Sequence, residues 1–333
     1  MTKNNTQNIF GWDPGMGNQK LFSHEGGTIF PSHIAIKNGS TVAVSGGIKA
    51  KNKPMELSVN GSEFYAGLSS HWYGEPIENL GYDRLLGAPE LRVMFYAVMT
   101  KHIREYRLDN QFSVSKIVVG LPFELCGADF EKNKRKVSSF LKGVHTWDTD
   151  GQSYEITIEQ VDITNQAIGA FFDMQLDSDC KFIPDNVRFN RGGILVVSVG
   201  NKTTEILFLD DMKLVPNKTA GKTYGVSDLL RMTDPEGLYT LAQLDEKLRG
   251  KALDISQTEP LWTRNVLGNI QQVGGDWKQA QRVILVGGGA ALINGTFNNY
   301  FAGRAYRPDD PILSVVRGLY KMGVMRSKSK SKK

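Results

Sequence analysis

The sequence predicts a two-lobed α/β protein with a ligand clamped between its lobes. Two observations carry that prediction. A strand–glycine turn–strand hairpin opens the chain at Ile9 to Ser23, and a second hairpin of the same design stands at Ile194 to Leu209. Each heads its own run of strands and helices, and no other internal repeat precedes the tail.

In chain order, Ile9 to Asp13 reads as a strand, Pro14 to Asn18 as a turn and Gln19 to Ser23 as the return strand. Thr28 to Gly39 continues as extended structure. Asn60-Gly61, between alternating residues in "ELSVNGSEFYAGL", marks a hairpin. Pro89 starts a helix whose apolar residues Leu91, Phe95, Val98, Met99, Ile103 and Tyr106 recur at helical spacing. "KIVVGLPFEL" is a buried strand ending in a Gly-Leu-Pro turn, and "FEKNKRKVSSFLKG" an amphipathic helix. "YEITIEQVDI" alternates as one strand and leads into the helix "NQAIGAFFDM". After the second hairpin, Tyr224 to Gln281 is largely helical. "VILVGGGAALI" (Val283 to Ile293) then gives a buried strand feeding a glycine turn.

Composition narrows the setting. The chain has 333 residues, 40% hydrophobic and 23% charged, which suits two domains or one large bilobed unit. Cys126 and Cys180 form no metal or redox pattern, the polar start "MTKNNTQNIF" has no signal-peptide core, and no apolar run approaches the roughly 18 residues that span a bilayer. Cytoplasmic residence without membrane contact is the expectation. The net charge of +5 is matched by the five cations Arg326, Lys328, Lys330, Lys332 and Lys333, so the body is near neutral. Residues 326–333 are expected as a disordered basic tail making at most a weak DNA contact. No recognition helix or stacking pattern accompanies it.

The chemistry lies in the glycine turns. In "DPGMGNQK", Gly15 and Gly17 let backbone amides approach phosphate oxygens, Asn18 and Gln19 add side-chain donors, and Lys20 supplies a cation. Asp13 is suited to organise a hydrated Mg2+. Read alone, the stretch is better taken as a tight β-turn, and its spacing is not that of a P-loop. Gly287, Gly288 and Gly289, followed by the small Ala290, would let the chain pass closely under a flat ligand. They do not fit the dinucleotide fingerprint.

Together, "DPGMGNQK", "VSVGNKTTE" and "LVGGGAAL" resemble the two phosphate hairpins and the adenosine motif of the actin, sugar kinase and heat-shock chaperone ATPase superfamily, whose fold is ribonuclease H-like. "IVVGLPFEL" and "DDPILSVVRGLYKMG" narrow the resemblance to ParM-type (StbA-type) bacterial actins of plasmid segregation and their archaeal relatives. It covers most of the chain. The resemblance implies ATP (or GTP) and Mg2+ in the cleft between lobes. Asp13 would hold water on the metal, and Gln166 would orient the attacking water. Without the resemblance, Gln166 reads as a polar residue at a helix start, capped by Thr164 or Asn165.

Gly200, Asn201, Lys202 and Thr203 would form the second phosphate grip. There the pattern breaks: Ser198 stands where the family carries an aspartate, leaving at most a weak metal contact, while Glu205 takes a position usually held by aspartate. Binding with slow hydrolysis is the expectation. Lobe one is expected at residues 1–165 plus 305–325, with a small subdomain at about 35–85, and lobe two at 166–304, with one at about 212–265.

The implied function is a filament-forming ATPase whose partners are copies of itself and a DNA-binding adaptor on a plasmid. Exposed apolar residues between Ser69 and Leu86 offer a subunit contact, although Trp72 and Tyr73 suit interior packing equally. The alternatives are a monomeric small-molecule kinase, with Asp162 the nearest catalytic candidate, and a nucleotide-binding scaffold with impaired hydrolysis.

Overall fold

The computed structural model describes residues 8–39, 53–78 and 81–330. The polar N-terminal segment and the terminal Lys332 and Lys333 lie outside the described residues, as do parts of the expected small subdomain. The described helices are α1 (Pro89–Tyr106), α2 (Phe130–Leu141), α3 (Gln166–Gln175), α4 (Pro184–Val187), α5 (Val226–Thr233), α6 (Leu241–Arg249), α7 (Glu259–Gly274), α8 (Ala290–Tyr300) and α9 (Ser314–Lys330).

Both hairpins form, and each founds a sheet of the same plan. In the first, Ile9–Pro14 pairs antiparallel with Asn18–Phe22 and parallel with Lys116–Leu121, which runs parallel to Val161–Asn165. In the second, Gly193–Val199 pairs antiparallel with Thr204–Asp210 and parallel with Ala280–Val286, which runs parallel to Ala305–Tyr306. The central strands are buried along their whole length, as strands covered on both faces must be. That is why they read as continuous apolar runs.

A third, seven-stranded sheet enlarges lobe one. Its Asn60–Gly61 turn has φ of 53° and 79°, the two positive values a type I′ hairpin requires. Helix α1 packs between the sheets of lobe one, so Val93, Met94, Phe95, Tyr96, Ala97 and Val98 are all buried and its apolar stripe widens to most of its circumference.

At the base of the cleft α3 crosses α9 backbone to backbone. A Cβ on Gly169 would overlap the Val315 carbonyl, and one on Gly318 the Gly169 carbonyl. Beside the crossing, Asp173 receives two hydrogen bonds from the Arg317 guanidinium at 2.7 and 2.6 Å and one from Lys321 at 2.9 Å.

Two expectations are corrected. "YEITIEQVDI" is two strands, Gln152–Ile158 and Val161–Asn165, because the chain leaves the seven-stranded sheet and enters the main sheet between them. The basic tail is helical as far as Lys330. Buried Ser327 accepts from the Lys116 ammonium at 3.2 Å and Lys328 donates to the Asp179 carbonyl at 3.0 Å, which carries α9 past Arg326.

Candidate functional site

The hairpin tips of both lobes, the late glycine turn and the start of α3 converge on one cavity of about 290 Å3. It is lined by Asp13, Gly15, Gly17, Asn18 and Lys20 from the first hairpin and by Ser198, Gly200, Asn201, Lys202 and Thr203 from the second. Gln166, Gly287 and Gly288 complete that set. Local bonds shape each turn. Gly15 donates to the Asp13 carbonyl at 2.9 Å and Gly200 to that of Thr203 at 2.8 Å. The second tip is also tied to the start of α5, where Val226 and Ser227 donate to the carbonyls of Gly200 and Asn201. Gly287 has φ of 94°, which a side chain would strain.

Asp13 organises the floor. One carboxylate oxygen lies 2.7 Å from the Lys20 ammonium, and the other accepts from the Gln166 amide at 2.8 Å. Gln166 is held there because Asn165 caps α3, its side chain accepting from the Ala167 amide at 2.8 Å.

Four residues raised by the sequence lie outside the cavity lining. Gln19 is fully buried away from the cavity, donating to the Gly15 carbonyl and the Ser32 hydroxyl and accepting from the Trp12 indole, because the alternation of its strand turns it into the lobe. Gly289 and Ala290 do not line the cavity either: Gly289 donates to the Val199 carbonyl, packing the turn onto the second hairpin. The kinase candidate Asp162 lies off the cavity, its carboxylate 3.6 Å from the Lys116 ammonium.

The structure gives a place in the site to Glu205, which the sequence marked only as standing where an aspartate is usual. Glu205 lines the cavity, almost fully buried, and stands directly opposite Ser198 in the hairpin register, so both side chains share one face. One Glu205 oxygen accepts from the Phe123 amide of lobe one at 2.9 Å, and the other, Oε1, is buried without a hydrogen-bond partner. Burial, then the charge of Glu124, pushes its carboxyl up to about 8. Counting back from the turn would have placed it beside Ser198. The lining also includes the apolar Val226, Leu248 and Leu292 and an Arg249–Asp245 pair at 2.7 Å, residues that no motif singled out.

Lys202 lies with its ammonium 4.3 Å from the centre of the Tyr82 ring of the other lobe, and burial pulls its pKa down. Among the described residues no three His, Cys, Asp or Glu side chains form a metal cage. The oxygens of Asp13, Ser198 and Glu205, with a vacant acceptor on Glu205, instead fit a hydrated Mg2+ carried by phosphate.

This arrangement, two phosphate-type hairpins heading two like sheets around a cleft, is the actin-like fold. Residues 11–169 match the family model for the N-terminal domain of actin-like proteins, and the chain is similar in fold to solved ParM and archaeal actin homologue structures. The chain has the actin-like fold, and its N-terminal part is similar to the N-terminal domain of actin-like proteins. The psk41 ParM protein is 21% identical with a TM-score of 0.72, covering 98% of this chain and 99% of its own. An archaeal actin homologue, also solved in complex with ADP, is 19% identical with a TM-score of 0.69 in that complex, covering 96% and 99%. A 15-stranded ParM filament from Clostridium botulinum is 17% identical with a TM-score of 0.70, covering 95% and 99%. A search of curated proteins found no match. No described helix is long and apolar enough to cross a membrane.

Proposed function

We propose that the protein is a nucleotide-dependent, filament-forming actin-like ATPase, a ParM-type cytomotive filament that moves plasmid DNA through an adaptor protein. One observation carries the reading: glycine hairpins from both lobes, each with a lysine, face a single cavity whose lining also includes the apolar Val226, Leu248 and Leu292. Backbone amides and lysines suit the phosphates of ATP or GTP, and Val226, Leu248 and Leu292 suit a purine. A bound Mg2+ would neutralise phosphate charge and order water, with Asp13, Ser198 and Glu205 as its outer oxygens.

The chain's own groups set the chemistry. The Gln166 amide donates to Asp13, which leaves its carbonyl oxygen to accept from an attacking water. An amide takes no proton at neutral pH, so Gln166 orients water and does not deprotonate it. With a serine at 198, the second hairpin lacks the carboxylate that would bring charge to a metal ion there. Slow turnover follows. Filament formation is supported by the fold shared with ParM proteins, one of them solved as a filament.

Right-angle light scattering after addition of Mg·ATP tests the reading. A rise followed by decay is expected of a filament that hydrolyses, and a lasting plateau of one that hydrolyses too slowly to disassemble. A flat trace from protein with bound nucleotide would sink the filament.

A further inference from the structure

Lobe two gathers cations at the end of its sheet opposite the glycine turns. Strands Gly193–Val199, Ala280–Val286 and Ala305–Tyr306 run parallel, so their first residues lie together at that end. Arg188 and Arg191 stand on the turn leading into the first strand, Lys278 on the turn into the second and Arg304 just before the third. Arg282 pairs with Ile194 near the strand starts, and Lys218 joins the set by donating to the Gln279 side chain. Aromatic rings hold several of these groups. The guanidinium groups of Arg188 and Arg282 lie 4.9 and 4.3 Å from the centre of the Phe189 ring. That of Arg304 lies 5.8 Å from the centre of the Trp277 ring and donates to the carbonyls of Lys278 and Ala280. Arg188, Arg191 and Lys278 are exposed, and Lys218, Arg282 and Arg304 are half-buried.

We propose that this face binds the phosphate backbone of duplex DNA directly, without reading its bases. The inference goes beyond the filament reading, which brings DNA in through an adaptor. Pairing is the first argument. Among the described residues none of the six cations forms an ion pair, whereas Lys20, Arg104, Lys116, Arg249, Arg317 and Lys321 each meet a carboxylate. Of the nearby acids, Asp185 pairs with none of the six, and Asp276 is turned to the backbone, accepting from the Lys278 amide at 3.1 Å. Like charges gathered this way repel one another, and a polyanion relieves the repulsion. Shape is the second. Arg188, Arg191, Arg282 and Arg304 present planar forks that match phosphate oxygens, and stacking on Phe189 and Trp277 leaves three of them little freedom to lose on binding. The rings decide the kind of partner. Both are half-buried and already faced by a guanidinium, so neither is offered to an unpaired base, which favours a duplex over a single strand. The cations also sit on turns and strand starts of several segments, not on one amphipathic helix that could lie in a bilayer surface. A body near neutral overall conceals such a face, because composition sums charges that the fold segregates.

The test follows the fluorescence anisotropy of a labelled duplex of arbitrary sequence mixed with the full chain. No nucleotide is added, so the outcome is separate from the reading of the cavity. If the six cations each meet a phosphate, affinity should fall about 10³-fold between about 50 and 200 mM salt. Arg188→Gln, Arg191→Gln and Lys278→Gln together should halve the slope of log affinity against log salt, from about −5.4 to about −2.7. Those three side chains are exposed and make no hydrogen bond among the described residues, so the melting temperature of the variant should hold. Lys330→Gln, Lys332→Gln and Lys333→Gln together should change neither affinity nor slope, which separates the face from the basic C-terminus. No duplex binding at the lower salt, an unchanged slope in the first triple variant, or loss of binding in the second overturns the proposal. Binding to phosphatidylserine vesicles but not to the duplex would give the face to a membrane surface and overturn it as well.

Discussion

Asp13 and Lys20 face each other across the first hairpin at 2.7 Å, with side chains 4% and 11% exposed. Asp13→Asn keeps the shape and leaves the ammonium buried without its counter-charge. Removing one partner of a buried pair costs about 3 kcal/mol, because the remaining charge stays desolvated. For a lobe of this size the melting temperature should fall by roughly 6–12 °C. In the proposed complex Lys20 turns to phosphate, so a triphosphate supplied in EDTA offers the charge that asparagine lacks. Its stabilisation, about 2.7 kcal/mol at a hundredfold excess over Kd for any such ligand, should therefore be reached at lower concentration in the variant than in the wild type. Scanning calorimetry with and without ATP and EDTA measures both effects. Melting within about 1 °C of the wild type, or identical ligand responses, would refute the claim that this pair is a buried charge couple facing phosphate.

Other consequences follow from neighbouring residues. Gln166→Ala should lower turnover on the order of 10²-fold with nucleotide affinity retained, since its proposed task is to place water; steady-state phosphate release beside fluorescent-nucleotide titration separates the two. Ser198→Asp should raise Mg2+-dependent turnover on the order of tenfold, and an unchanged rate would clear serine as the cause of slow hydrolysis. His102 is buried between the hydroxyls of Ser23 and Thr28, both at 2.9 Å, and burial pushes its pKa down from 6.5 to about 4. The unfolded chain gains that proton first. Stability is therefore complete above pH 6.5 and declines as pH falls toward 4, by about 3 kcal/mol in all, which urea unfolding at several pH values should show and His102→Gln should flatten.

What the sequence made legible was local. Glycines, alternation and buried runs specify the hairpins and the Gly287 turn, since each feature constrains the backbone where it stands. Gln19 escaped because a motif names residues without saying which side of the strand they take; alternation sends Lys20 toward the cavity's Asp13 and Gln19 into the lobe. The sequence marked Glu205 as standing in an aspartate's usual place but not as a site residue, for the complementary reason. Its place opposite Ser198 depends on hairpin register, and its buried, unpaired oxygen depends on the other lobe closing over it. The apolar part of the cavity lining comes from α5, α6 and α8, whose residues carry ordinary helix patterns until the fold brings them together. The tail misled because composition describes a segment alone, whereas Ser327 and Lys328 find partners on Lys116 and Asp179.

The geometry at the two ends of the cleft also bears on how the lobes can move. At the base, Gly169 and Gly318 bring α3 and α9 so close that a methyl group on either would strike a carbonyl. Helices in such contact can pivot, but sliding one along the other drives Cα atoms into the facing backbone. The bidentate Arg317–Asp173 pair resists the same slide, since it holds only in one axial register. Rotation about the crossing is then the motion of lowest cost, and rotation displaces atoms in proportion to their distance from the pivot. The floor of the cavity, where Asp13 meets Gln166 at the start of α3, moves little; the rim, where His33 and His71 meet α6, moves most. Widening the crossing itself should affect both at once: Gly318→Ala, which forces α9 away from α3, should loosen nucleotide binding and lower the melting temperature together. A variant that bound nucleotide and melted like the wild type would show that the crossing is not the pivot.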